Sequence, residues 1–302
     1  MPKKKLQYLS LLLFLIYLLN SCVPCILVRA EAMSMSVSSF SDLAGHWAEK
    51  GITNWTTRRL AGGYPDGTFR PDSPITRAEF LTLLNRAFGY TEMTVGQAID
   101  PVSYCDVTEI DWYADEIAKA AAVGYLGGYP DGTIRPQNSI TRQEVAVFFA
   151  RILPAAIESS EVDNLYLNND KVLKDFTDEA QIPEWSREAI AMAVSGGYMN
   201  GYPDGTFRPA EAITRAEAIT VLERAAGTIY NCSGTYGPFR GNLVLEGNVT
   251  ITTPSVTLQN ITITGNLYLT EGIGEGEVTL NNVTVQGTTK ISGGGSNSIH
   301  LL

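Results

Sequence analysis

Up to Gly227 the apolar residues of this chain recur at helical spacing; beyond it they alternate with polar ones. The clearest helical stripe is Leu81, Leu83, Leu84, Ala87 and Phe88. It follows Thr76-x-x-Glu79, a capping box with Thr76 at the N-cap and Glu79 reaching back, flanked by Ile75 and Phe80 at the spacing of a hydrophobic staple. The same pattern returns at Ile140, Thr141, Glu144 and Val145, and at Ile213, Thr214, Glu217 and Ala218. A shorter helix is predicted upstream of each box, over Ile117 to Val123 with Gly124 as its stop and over Ala189 to Val194 with Gly196 and Gly197. The first copy has Arg58-Arg59 where the others have the stop glycine, so its helix exit is expected to differ or to be strained.

Between the two helices of each copy lies a turn, Tyr64-Pro-Asp-Gly67, Tyr129 to Gly132 and Tyr202 to Gly205. Proline presets its own φ, aspartate bonds nearby backbone and glycine accepts a positive φ. Thr68-Phe69-Arg70 is expected to run extended, because Pro71 disfavours a helical Arg70. Each copy opens with an aromatic-x-Asp triplet, at Phe40 to Asp42, Tyr104 to Asp106 and Phe176 to Asp178, whose aspartate is expected to cap the short helix. A unit of about 50 residues buries little apolar surface alone, so the three are expected to pack together.

The motif Gly-Tyr-Pro-Asp-Gly-Thr-(Phe/Ile)-Arg-Pro followed by Ile-Thr-Arg-x-Glu, three times in order over roughly residues 40 to 227, resembles the S-layer homology repeat of bacterial surface proteins. The resemblance implies a mainly α, pseudo-threefold assembly. It also implies binding of secondary cell-wall polysaccharide, often carrying pyruvate ketals, in grooves between repeats. The family's ligand-associated Thr-Arg-Ala-Glu motif falls on Thr76 to Glu79, Thr141 to Glu144 and Thr214 to Glu217. Gln143 replaces the alanine in the second copy, so that groove is expected to differ slightly.

Arg77, Arg142 and Arg215 sit at the first helical position, where the macrodipole favours negative charge. One reading makes each a donor to a bound anion, together with the free N–H groups of the helix start. On it, replacing all three with alanine weakens glycan binding and leaves helical content nearly intact. The other reading folds each onto Glu79, Glu144 or Glu217, or onto a neighbouring turn. Trp47, Trp112 and Trp185 also have two readings. An indole stacks well on a sugar ring, but general burial tendencies favour a core anchor. Arg70, Arg135 and Arg208 are further groove donors or, preferably, partners of the turn aspartates Asp66, Asp131 and Asp204. Those turns are too poor in oxygen ligands for a calcium loop.

After Gly227, Val256 to Gly265 matches Val278 to Gly287 at an offset of 22 residues, and Gly241 to Leu245 matches Gly265 to Leu269 at 24. β-branched alternation at a fixed period reads as an all-β segment, about three coils of a parallel β-helix. The last strand-like stretch, Ser298 to Leu302, suggests a piece of a longer protein or stacking against another copy.

The organisation predicted is a leader over 1–32, repeats over 40–90, 104–153 and 176–227, a connector over 154–175, and the β-helix-like segment over 236–302. Lys3 to Lys5 and the apolar run Leu6 to Leu19 mark the leader as a signal peptide; an uncleaved anchor and a lipoprotein signal at Cys22 are the alternatives. A formal charge of −10 argues against nucleic acid, and two histidines leave little for a metal or acid–base site. No cofactor is expected. Of the four cysteines only Cys105 and Cys232 lie beyond the leader, free or paired with each other. The leading function is non-catalytic anchoring of a secreted protein at the wall, with the polysaccharide, further copies or other surface-layer proteins as partners. The alternative is a polysaccharide-cleaving enzyme on the same anchor, with Glu271, Glu275 and Glu277 as its acids.

Overall fold

The structure, a computed structural model, describes residues 40–91, 104–153 and 171–302. The leader and most of the connector read from the sequence lie outside these residues. Among the described residues six α-helices precede the strands: α1 (Glu49–Thr57), α2 (Arg77–Phe88), α3 (Ala114–Val123), α4 (Arg142–Ile152), α5 (Glu184–Ser195) and α6 (Arg215–Ala226). Among the described residues no helix is long and apolar enough to cross a membrane.

Helices α2, α4 and α6 begin at the three capping boxes, and the staple residues behind them are fully buried. Each packs on the first helix of the next repeat: α2 on α3, α4 on α5, and α6 back on α1. The circle closes through the backbone. Ile140 donates to Ile75, Ile213 to Ile140 and Ile75 to Ile213, at 3.1, 3.0 and 3.1 Å. Three short antiparallel bridges surround this ring, Pro74 with Thr214, Thr76 with Ser139, and Thr141 with Ala212. Three repeats too small to bury a core separately thus share one, and their capped helices all start at the same end.

Three local expectations need correction. Asp42, Asp106 and Asp178 do not cap the short helices. Each accepts two consecutive backbone N–H groups across the repeat, as Asp42 does from Phe69 and Arg70 at 2.8 and 2.7 Å. Under that clamp Arg70, Arg135 and Arg208 are left-handed rather than extended, with φ of 59°, 53° and 58°. Proline removes the right-handed option, and the two N–H groups can converge on one carboxylate only if the chain turns sharply. Thirdly, the indoles of Trp47, Trp112 and Trp185 are not core anchors; they stay 63%, 61% and 58% exposed. The buried tryptophan of repeat one is Trp55, inside α1.

The exit of α1 is strained, as its sequence suggests. Arg59 holds a φ of 60° at the position where Gly124 and Gly197 hold 89° and 71°. A side chain in this region costs roughly 1–2 kcal/mol, offset in part by the backbone entropy of glycine. Arg59→Gly is therefore expected to raise unfolding stability by about 0.5–1 kcal/mol in denaturant titration.

Beyond α6 the chain winds into about three coils with two parallel sheets. β1 (Thr228–Tyr230), β4 (Val249–Ile251), β6 (Leu267–Leu269) and β8 (Thr289–Ile291) form one; β2 (Gly234–Tyr236), β5 (Val256–Ile263), β7 (Val278–Val285) and β9 (Ile299–Leu301) form the other, with β3 (Leu243–Leu245) also beside β5. The 22-residue match is in register, Val256 beside Val278 through Ile263 beside Val285. The 24-residue match is not: Leu243 pairs with Ile261, whereas Leu267 pairs with Val249. A Gly-Asn turn with alternating apolar residues can begin either side of a coil, so the similarity did not identify the sheet. Cys105 is a free thiol, so it is not paired with Cys232.

Candidate functional site

The motif residues meet across the repeat boundaries. Glu79 Oε2 accepts from the Thr76 amide at 3.0 Å, closing the capping box, while Oε1 accepts from the Tyr64 hydroxyl at 3.1 Å. The same Oε1 takes Nη1 of Arg215, from the third repeat, at 3.0 Å. Arg215 also donates Nε to Phe69 O and Nη2 to Gly62 O, each at 3.0 Å. At the next boundary Arg77 pairs with Glu144 at 3.0 Å and donates to Ile134 O; Glu144 also accepts from the Thr141 amide and the Tyr129 hydroxyl. At the third, Arg142 donates to Phe207 O and Asn200 O at 2.8 and 2.6 Å, and Glu217 accepts from Thr214 and Tyr202.

Arg77, Arg142 and Arg215 are therefore buried, at 3%, 4% and 7% exposure. Alanine at these positions is therefore expected to destabilise the ring as well as to alter any binding. Each guanidinium ties two repeats together, and the carboxylate partners of Arg77 and Arg215, Glu144 and Glu79, belong to the neighbouring repeat rather than to their own box. Burial pushes the Arg142 guanidinium below the usual arginine range, while Tyr202 and Glu217 oppose the shift.

A second guanidinium lies on the outer side of each cluster. Arg70, Arg135 and Arg208 keep 48%, 44% and 40% of their side chains exposed and bridge Asp66, Asp131 and Asp204 at 2.7, 2.9 and 2.7 Å. They lie over Tyr64, Tyr129 and Tyr202 at 4.0–4.1 Å, and the buried arginines lie 4.7–5.1 Å from the same rings. Each tyrosine is thus flanked by one buried and one exposed cation. Burial raises the pKa of all three phenols, so each hydroxyl donates its proton to a glutamate. The turn carboxylates are held at about 2, first by the threonine hydroxyl two residues on and then by the arginine.

The tryptophans lie at the starts of the first helices. Trp47 neighbours His46, whose Nε2 is 3.2 Å from Asp72. Asp72 follows Pro71, whose carbonyl accepts from Ala216 at the start of α6. The exposed indole of repeat one therefore lies at the ring end, where the capped helices begin. The tyrosines are the site residues the sequence reading passed over. Their signal was present, a fixed interval of 15 residues to the box glutamate in all three copies.

The S-layer homology domain family matches at residues 39–81, 103–146 and 175–219. The chain carries three S-layer homology domains. It is 37% identical over 168 residues to "Cell surface glycoprotein 1" of Acetivibrio thermocellus, covering 56% of this chain and 7% of that protein. It is 33% identical over 163 residues to the "Cellulosome-anchoring protein" of the same organism, covering 54% and 34%. "Amylopullulanase" of Thermoanaerobacterium thermosulfurigenes is 30% identical over 185 residues, covering 61% and 9%. This chain thus spans about a third or less of the length of these relatives, one of which is named for an enzymatic activity.

Proposed function

We propose that the three S-layer homology domains attach this protein to the bacterial cell wall by binding an anionic secondary cell-wall polysaccharide, one carrying pyruvate ketals. Relatives named for the cell surface and for anchoring agree with a secreted, wall-associated protein. One observation carries the reading: an exposed indole and a solvent-facing guanidinium recur in all three repeats of one closed ring. A sugar ring stacks on the indole, and its acid substituent reaches Arg70, Arg135 or Arg208. Arg77, Arg142 and Arg215, with Thr76, Thr141, Thr214, Glu79, Glu144 and Glu217, hold the walls of the clusters. A repeating glycan engages three such places at once, which multiplies modest single-site affinities. The protein carries a net charge of −10, so attraction to an anionic polymer must be local and must weaken with salt.

The test is binding of the full chain to purified wall polysaccharide before and after its acidic substituents are removed. Trp47→Ala, Trp112→Ala and Trp185→Ala together are expected to lower affinity by about tenfold or more, since each removes an aromatic face on which a sugar ring stacks. Far-ultraviolet circular dichroism stays unchanged, because the indoles are exposed. Unaltered affinity in that variant rejects the tryptophan assignment; unaltered affinity for the stripped glycan rejects the anionic one.

Among the described residues the three candidate acids do not form a fixed pair. Glu271 lies half-buried beside Tyr90 at the seam with the helices, whereas Glu275 and Glu277 are exposed. A carboxylate pair at fixed spacing, with one partner held protonated, is what glycoside cleavage needs.

A further inference from the structure

The capped helices α2, α4 and α6 start together at the isoleucine ring, and all three end on the β-solenoid. At the end of α6, Asn248 Nδ2 donates to Ala225 O at 2.9 Å and Thr250 Oγ1 to Ala226 O at 2.6 Å. At the end of α4, Lys290 Nζ donates to Ile152 O at 2.8 Å. Past the end of α2, a Cβ on Gly89 would come within 2.6 Å of the Thr252 Cβ. The shorter α1 joins them, since Arg58 at its C-cap and Asn231 exchange hydrogen bonds of 3.4 Å. Helix C-termini leave carbonyls without partners and carry the negative end of the dipole. Here solenoid donors, one of them a lysine, satisfy those ends. Asn248, Thr250 and Thr252 are buried in the process, and Ile229 and Tyr268 of the solenoid belong to the helical core. The join leaves no slack: Gly227 passes so close to the Asn248 carbonyl that a Cβ there would sit 1.8 Å from it.

We propose that the solenoid is the closing cap of the S-layer homology module, so that helices and coils unfold as one cooperative unit with no hinge between them. Helices α2 and α6 have 12 residues each and span about 18 Å at 1.5 Å per residue. The solenoid therefore leaves the module from the end opposite the isoleucine ring. If the ring end is the wall-binding end proposed above, whatever the solenoid carries is held rigidly away from the wall. The cooperative cap does not depend on that reading.

Native-state hydrogen exchange of the full chain in increasing denaturant tests the cap directly. Peptides from α2, α4 and α6 and from β5 and β7 are expected to join one opening transition with a common midpoint. Coils that open at lower denaturant while all three helices stay protected would overturn the proposal. Leu280→Ala, in the solenoid interior and away from the seam, supplies a second readout. It is expected to lower the midpoint of helical ellipticity by roughly 4–10 °C, with solenoid probes moving together. A helical midpoint that stays put would overturn the proposal as well. Asn248→Ala with Lys290→Ala is expected to speed exchange selectively in the last turns of α4 and α6; unchanged exchange there would refute the capping contacts. Glycan binding measured on the same variants keeps this test separate from that of wall attachment.

Discussion

Arg215→Ala is expected to lower the unfolding free energy by about 2–4 kcal/mol, at the lower side of the range for breaking a buried ion pair. The side chain links residues 146 and 153 positions away, Phe69 and Gly62, through their carbonyls, and it pairs with Glu79. Its loss strands both carbonyls in the seam between the first and third repeats. Glu79 retains the Thr76 amide and the Tyr64 hydroxyl and is partly exposed, which limits the damage. Arg70→Ala, by contrast, removes an exposed, solvent-screened pair on the same tyrosine and is expected to cost far less. Denaturant titration of both variants separates the roles. Equal losses would show that the buried and exposed guanidinium groups are not distinct. The same contrast governs binding experiments: of the arginine variants, only those at Arg70, Arg135 and Arg208 are expected to test the proposed glycan contact without disturbing the ring.

The aspartate clamps carry the second large effect. Asp178→Ala is expected to cost about 2–3 kcal/mol, because a buried carboxylate then no longer accepts two charge-assisted N–H bonds, from Phe207 and Arg208 at 2.8 and 2.7 Å. The bonds are nearly the same length at Asp106 and Asp42, but burial decreases from Asp178 through Asp106 to Asp42. The cost should fall in that order, and thermal melts of the three alanine variants check it; equal costs would remove burial as the controlling variable. At Asp42 desolvation raises the carboxyl pKa, and the N–H groups of Phe69 and Arg70 more than offset it, so the folded value is depressed. Its contribution is accordingly present above the ordinary aspartate pKa of about 3.9 and is lost as pH falls through the depressed value.

The sequence by itself determined the local units. Thr76-x-x-Glu79 and its two copies specify helix starts, because the box closes within four residues. The 22-residue period specified a parallel ladder, because identical strands stacked in register bury identical side chains. Only the tertiary structure decided where the charges ended. The cation at the helix start is offset by carbonyls of another repeat, 57 to 153 residues away, and for Arg77 and Arg215 by a carboxylate there too, and no local rule names those partners. The same holds for the clamp aspartates, whose N–H partners lie 27 to 30 residues on, and for the indoles of Trp47, Trp112 and Trp185, left in solvent. Capping and periodicity are set by a few bonds between near neighbours, whereas burial and ion pairing depend on which surfaces meet when three repeats and a solenoid close on one another.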